Sequence, residues 1–192
     1  MVRKKENNII FKIYKDSRTV FSIMDVAMLS GDEKNDSLRK KLYYYVHSGK
    51  LLNPRKGFYA KAGYNSEELA CLLYTPTYIS LEYVLQKAGV IFQYDSAITN
   101  ISYLSRETVV DNQMFRYRQI KGEIITNTDG ILLNRNHVNM ATPERAFLDM
   151  LYLRKDYYFD NLHPLNKKTV YKLAPLYDSQ TLLKAVSKLL PL

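Results

Sequence analysis

The clearest pattern of apolar and polar positions lies between residues 37 and 48. At about 100° per residue, one side of a helix over this segment carries Leu38, Leu42, Tyr45 and Val46. The opposite side carries a cationic and aromatic set, namely Arg39, Lys40, Tyr43, Tyr44 and His47. Gly49 follows the segment, as is typical of a helix end. The pattern therefore predicts a helix with one face in the core and a basic face in solvent.

The segment before this helix carries the signals of a second, shorter helix. Ser22 and Asp25 have the spacing of a capping box, which begins a helix by satisfying two free backbone N–H groups. Gly31 suits the left-handed residue that follows a helix end. A further short amphipathic helix is predicted over residues 7–15. We therefore expect three helices before residue 50.

A β-hairpin with a basic tip is predicted directly after the third helix. The runs 50–53 and 58–61 are strand-like, and the turn between them carries Arg55 and Lys56. A winged helix-turn-helix has the same order of elements: two helices joined by a turn, then a hairpin. Its second helix enters the DNA major groove, and the second helix predicted here is basic. We therefore predict such a domain over residues 1–64.

Residues 65–192 predict a different kind of domain. Helical patterns occur at about 66–74 and 80–88, from Thr142 onward, and at about 167–174 and 179–190. Between residues 97 and 139, short β-branched and aromatic runs alternate with turns, so we expect several antiparallel strands. The predicted fold class is α+β: an N-terminal winged helix-turn-helix followed by a domain of mixed antiparallel sheet and helices.

Charge is distributed unevenly along the chain, whose formal net charge is +9. Residues 1–64 hold 14 lysines and arginines against 6 aspartates and glutamates, a net charge of +8, and residues 65–192 hold 14 against 13. This asymmetry suits a module that meets a polyanion, although a solvated basic surface has the same composition. Because the excess coincides with the predicted helix and hairpin, we expect DNA contacts from Arg39, Lys40, Tyr43, Tyr44, His47, Arg55 and Lys56.

The sequence offers no recognisable catalytic constellation. It lacks a Gly-rich phosphate loop, a Cys-x-x-Cys pair, histidines at metal spacing and a Gly-x-Ser-x-Gly motif. Glu144 and Asp149 share one predicted helix, where we expect a helix-start charge and a surface or capping acid. We therefore predict a protein that is not an enzyme and uses no cofactor or metal.

The single cysteine and the hydropathy pattern bear on the compartment. Cys71 lies in an apolar helical run and is expected to be a buried thiol, so a reducing compartment fits. No apolar run in the sequence approaches the length of a membrane span. We expect a cytoplasmic protein with no membrane partner, monomeric in solution.

A second basic feature lies on the predicted strand 115–119. Arg116 and Arg118 alternate along the strand with Phe115, Tyr117 and Gln119. Side chains two positions apart in a strand point the same way, so both arginines project from the same face. Such a face suits contact with RNA, a nucleotide or an acidic protein. It equally suits the outward polar face of a half-buried sheet, and both interpretations stay open.

Four segments carry a family resemblance: Arg55–Tyr59, Tyr78–Leu85 with Gly89 after it, Phe115–Ile120, and Ala141–Tyr152. Together they resemble the antitoxins of the bacterial abortive-infection E (AbiE) systems, from about residue 18 to the end. The last segment, ATPERAFLDMLY, is the most specific. Arg145 and Phe147 depart from the family pattern of lysine and leucine, but these changes keep the charge and the apolar character.

The resemblance implies two roles. In this family the N-terminal domain represses its own operon by binding inverted repeats in the promoter, and the C-terminal domain neutralises a co-encoded nucleotidyltransferase-type toxin. Such pairs are described as type IV, in which the antitoxin usually opposes the toxin's effect without a stable complex, so direct contact with the toxin stays open. The DNA-facing residues it implies are those named above, and the candidates for antitoxicity are Arg116 and Arg118.

Two other functions are compatible with the sequence. One is a winged-helix transcription regulator whose C-terminal domain senses a small molecule or a partner and that has no toxin. An overlapping nucleotidyltransferase gene beside this one would favour the antitoxin over that regulator. The other is a nucleic-acid enzyme that uses the winged helix as its targeting module.

Overall fold

The computed structural model describes residues 9–31, 36–133 and 138–191. The chain divides into two compact units, unit 1 (Met1–Leu69) and unit 2 (Ala70–Leu192), whereas the boundary predicted from the sequence follows residue 64. Both units contain helices and β-strands, which confirms the predicted α+β class.

The described part of unit 1 begins with three helices and three short strands. In chain order they are α1 (Ile9–Lys15), β1 (Val20–Ser22), α2 (Ile23–Ser30), α3 (Asp36–His47), β2 (Leu52–Arg55) and β3 (Phe58–Ala60). The strands form one antiparallel sheet in the order β1-β3-β2. Strand β1 was not predicted, because three residues directly before a helix are too few to show an alternation.

Helix α2 begins and ends as its sequence predicts. The Ser22 hydroxyl accepts from the Asp25 amide at 3.1 Å, and the Asp25 carboxylate accepts from the Ser22 amide at 2.7 Å, which completes the capping box. Gly31 adopts the left-handed conformation at φ 72°, and its amide donates to the Ala27 carbonyl. These local hydrogen bonds fix the direction in which the chain enters and leaves α2.

The core of unit 1 forms where the apolar faces of its three helices meet. Its buried members are Ile9, Ile13, Phe21, Val26, Ala27, Leu38, Leu42 and Leu51. Leu38 and Leu42, four positions apart on α3, are fully buried, and Tyr45 and Val46 pack half-buried at the edge. Burying a side chain of this size contributes about 1.5–3 kcal/mol, so packing holds α3 with its polar face outward.

The hairpin is tighter than its sequence suggests. The predicted turn covers residues 54–57, but β2 continues through Arg55 and β3 begins at Phe58, with an irregularity in register along β2. The Asn53 amide nitrogen bridges this turn by donating to the carbonyls of Arg55 at 2.9 Å and Phe58 at 2.6 Å. Gly57 supplies the positive φ of 88° that the turn requires.

A buried carboxylate ties the last residues of unit 1 to its sheet. One oxygen of Glu68, which is 3% exposed, accepts from the Thr19 amide at 2.5 Å, the Thr19 hydroxyl at 2.9 Å and the Val20 amide at 3.0 Å. These donors lie at the start of β1, where a strand needs partners for its free N–H groups. These hydrogen bonds attach Glu68 to the sheet of unit 1.

Helix α4 (Ser66–Leu73) leads into unit 2. The further elements are β4 (Thr77–Ile79), α5 (Glu82–Lys87), β5 (Ile98–Ser102), β6 (Arg106–Val110), β7 (Gln113–Gln119), α6 (Gly122–Thr126), β8 (Ile131–Leu133), β9 (Asn139–Ala141), α7 (Pro143–Leu153), α8 (Lys167–Leu173), a 3-10 turn (Ala174–Tyr177) and α9 (Gln180–Leu189). The helices expected in this region are present. Pro143 and the Thr142 cap begin α7 as predicted.

The strands of unit 2 form one sheet in the order β6-β7-β5-β4-β9-β8. The pairs β6-β7, β4-β5 and β8-β9 are antiparallel, but β5-β7 and β4-β9 are parallel. The expectation of antiparallel strands is therefore wrong for those two pairs. For β5-β7 the cause is the β6-β7 hairpin, which folds back so that β7 lies beside β5 and runs in the same direction.

A charged network lies in the centre of unit 2. Arg145 and Asp149, one turn apart on α7, are both fully buried, with their side chains 3.4 Å apart. Asp149 also accepts from the hydroxyls of Ser80 at 2.7 Å and Tyr177 at 2.7 Å. Burial raises the pKa of Tyr177, so its hydroxyl stays protonated and donates. The expectation of a surface or capping role for Asp149 is wrong, because buried donors from other elements surround it.

Candidate nucleic-acid interface

The outward face of α3 carries the cationic and aromatic side chains that the sequence predicts there. All five of them are exposed, namely Arg39, Lys40, Tyr43, Tyr44 and His47. Tyr43 and Tyr44 leave 72% and 60% of their surface in solvent, which is unusual for large aromatic side chains. Packing of Leu38 and Leu42 into the core is what turns this face outward.

Two ring contacts organise this face. Tyr43 and His47, four positions apart, stack with centroids 6.1 Å apart and planes 9° from parallel. The ammonium group of Lys50 lies 5.9 Å from the ring centroid of Tyr44. The face therefore combines hydroxyl and imidazole groups with cations, and Lys50 is a member that the sequence pattern did not identify.

An open groove of about 690 Å³ connects α3 to the tip of the hairpin. Its described lining residues are Ile23, Arg39, Lys40, Tyr43, Lys56, Gly57 and Tyr59. Four of the seven predicted DNA-contacting residues thus come together, three from the helix and one from the turn. Tyr44 and His47 lie beside the groove on α3, and Arg55 is half-buried in β2. Ile23 and Tyr59 were missed, because their position depends on how the hairpin packs.

The cations of the groove lie at the surface. Lys40 and Lys56 are exposed, and Arg39 contacts Asp36 at 3.7 Å with 61% of the arginine side chain in solvent. An exposed ion pair of this kind contributes little and exchanges readily. The charged side chains among the described lining residues are all cations, namely Arg39, Lys40 and Lys56, a composition that attracts an anionic partner.

Arg116 and Arg118 lie on one face of β7, as the alternation predicts, while Phe115 and Tyr117 are fully buried on the other. Both arginines are paired with acids. Arg116 contacts Asp95 at 2.7 Å and Glu107 at 3.0 Å, and Arg118 contacts Glu107 at 3.1 Å. The hydrogen bond from Arg116 lowers the pKa of Asp95, which stays ionised. Arg116 and Arg118 are therefore part of a charge-balanced surface, because each arginine lies against a carboxylate.

The residues that the structure describes include no cluster of three or more His, Cys, Asp or Glu side chains that could hold a metal, and His137 lies outside them. Within the same ranges, no helix has the length and apolar character needed to cross a membrane. Neither a scan against protein-family models nor a search of curated proteins found a match to this chain.

Proposed function

We propose that unit 1 is a winged helix-turn-helix that binds double-stranded DNA, with α3 as the recognition helix and the β2-β3 hairpin as the wing. The observation that carries this proposal is the groove that Arg39, Lys40, Tyr43 and Lys56 line together. It joins an exposed basic helix face to a basic hairpin tip, and these are the two parts that a winged helix places on DNA.

The dimensions of α3 suit the major groove. Its 12 residues extend about 18 Å, and a B-DNA major groove of about 12 Å in width admits one helix. In this position the guanidinium of Arg39 can donate to guanine edges, and the Tyr43 hydroxyl can donate to a phosphate. Lys56 at the hairpin tip reaches the flanking backbone, where a cation contributes affinity without sequence preference.

We propose further that the whole chain is a non-enzymatic antitoxin that represses its own operon, acts in the cytoplasm and opposes a co-encoded nucleotidyltransferase-type toxin. The support for the second role is the resemblance of its four segments to AbiE antitoxins. A monomer in solution that binds inverted repeats would place one copy of unit 1 on each half-site. Antitoxicity belongs in this proposal to unit 2, with or without direct contact with the toxin.

Fluorescence anisotropy tests the DNA role. The full chain is titrated against a labelled duplex from the region upstream of its own gene and against a scrambled duplex of equal composition, at two salt concentrations. A specific repressor should prefer its own duplex by about a thousandfold or more and keep that preference at the higher salt. Equal binding that the higher salt abolishes would refute a sequence-specific role for α3.

Co-expression tests the antitoxin role. The chain is expressed with the neighbouring nucleotidyltransferase gene under separate promoters, so that repression of the native operon plays no part. We expect growth to be restored by the wild-type chain and equally by a variant with Arg39→Ala and Tyr43→Ala, which removes the proposed base contact of Arg39 and the proposed phosphate contact of Tyr43. Growth arrest in both strains would refute the antitoxin role while leaving the DNA role intact.

A further inference from the structure

A polar cleft of about 370 Å³ lies in unit 2, on the face of the sheet that carries Arg116 and Arg118. Its charged lining consists of three arginines (Arg116, Arg118 and Arg154) and three carboxylates (Glu82, Asp95 and Glu107). A second, smaller cavity of about 190 Å³ shares Glu82, Arg118 and Arg154 with it, so the cleft extends toward the end of α7. Cavities of this size bind small molecules.

The charges alternate in sign across the cleft. Asp95 contacts Arg116, Arg116 and Arg118 both contact the same Glu107 oxygen, and Arg154 lies 3.6 Å from Glu82. These contacts use one guanidinium nitrogen of Arg118 and one oxygen each of Glu107 and Glu82. Among the residues that the structure describes, the remaining N–H donors of Arg118 and the second oxygens of Glu107 and Glu82 make no further ion pair, so they can bind a ligand that carries both signs of charge.

The backbone beside the cleft is strained at Leu81, the residue before Glu82. Leu81 is buried with φ 59° and ψ −138°, a conformation that a residue with a side chain rarely adopts. The hydroxyl of Thr99 holds this turn by donating to the Ser80 carbonyl at 2.7 Å and accepting from the Tyr83 amide at 3.0 Å. Glu82 follows this turn directly and lines both cavities, and its side chain is only 15% exposed.

We propose that this cleft binds a free α-amino acid with an apolar or aromatic side chain. The described charged groups of the lining sum to zero, so the cleft suits a zwitterion better than a polyanion, which would meet three carboxylates. The ligand carboxylate would accept from Arg118 and Arg154, and its ammonium group would donate to Glu82 and Glu107. Ile91, Tyr94 and Tyr157, which also line the cleft, provide apolar and aromatic surface for the side chain.

Isothermal titration calorimetry with the full chain tests this proposal. The probes are phenylalanine, N-acetylphenylalanine, phenylalaninamide and adenosine monophosphate. We expect saturable binding of phenylalanine and at least about tenfold weaker binding of both blocked derivatives, because each lacks one of the two charges. Equal binding of phenylalanine and its amide, or binding of the nucleotide alone, would overturn the assignment.

Two variants and a control locate the site. Arg118→Gln and Glu107→Gln remove one charge of each sign and should each weaken phenylalanine binding by about tenfold or more. Lys184 is exposed on α9 and does not line the cleft. Lys184→Gln should therefore leave the affinity for phenylalanine unchanged. Circular dichroism confirms the fold of each variant, and an unchanged affinity in both cleft variants would refute the site. DNA binding by unit 1 is a separate property, so either proposal can fail alone.

Discussion

The salt dependence of DNA binding is the most direct test of the groove on unit 1. Lys40 and Lys56 are exposed, line the groove from its two sides, and differ from glutamine mainly in charge. Each lysine that neutralises a phosphate contributes about 0.9 to the slope of log K against log salt concentration. The double variant Lys40→Gln and Lys56→Gln should therefore reduce the magnitude of the slope by about 1.8.

Helix α3 supplies a matched control. Lys41 is also exposed and carries the same charge, but it lies two positions before Tyr43, about 160° around the helix, and does not line the groove. Lys41→Gln should leave the slope unchanged. The assay is anisotropy with the native and the scrambled duplex over a series of potassium chloride concentrations. An equal reduction in the Lys41 variant, or an unchanged slope in the double variant, would show that the groove does not face the phosphates.

Three further predictions concern specificity and stability. Replacing Arg39 and Tyr43 by alanine should cost about 1–3 kcal/mol for the base contact of Arg39, in addition to the phosphate contact of Tyr43, and reduce the preference for the native duplex in the same assay. Asp149→Ala should destabilise the protein by about 3–5 kcal/mol in urea unfolding, because Arg145 loses its buried carboxylate; a loss below about 1 kcal/mol would contradict this. Gly130→Ala should cost about 1–3 kcal/mol in the same assay, since φ is +74° and the new Cβ would lie 3.0 Å from that of Arg145; unchanged stability would refute the strain.

The features that sequence predicted well are those with a local cause. The capping box of Ser22 and Asp25 lies within four residues, and its hydrogen bonds form as expected. The burial of Leu38 and Leu42 follows from helical periodicity within one segment. In each case the sequence contains both partners of the interaction at a spacing that determines their geometry.

The features that sequence missed depend on contacts between distant segments. The Asp149 carboxylate accepts from Ser80, which lies 69 positions earlier, and from Tyr177, which lies 28 positions later. A helical pattern around Asp149 cannot indicate whether such donors will surround it. The parallel pair of β5 and β7 has the same cause, because strand propensity carries no information on which strand becomes a neighbour.

The two units use similar numbers of cations in opposite ways. Residues 65–192 contain as many lysines and arginines as residues 1–64, yet Arg116 and Arg118 are held against carboxylates that the fold of the sheet places beside them. In unit 1 the described lining of the groove includes no acid, and its charged side chains are Arg39, Lys40 and Lys56. Potential at a surface follows from which charges lie together rather than from their count. A polyanion is therefore the expected partner of the groove, whereas the cleft requires a ligand that offers both charges.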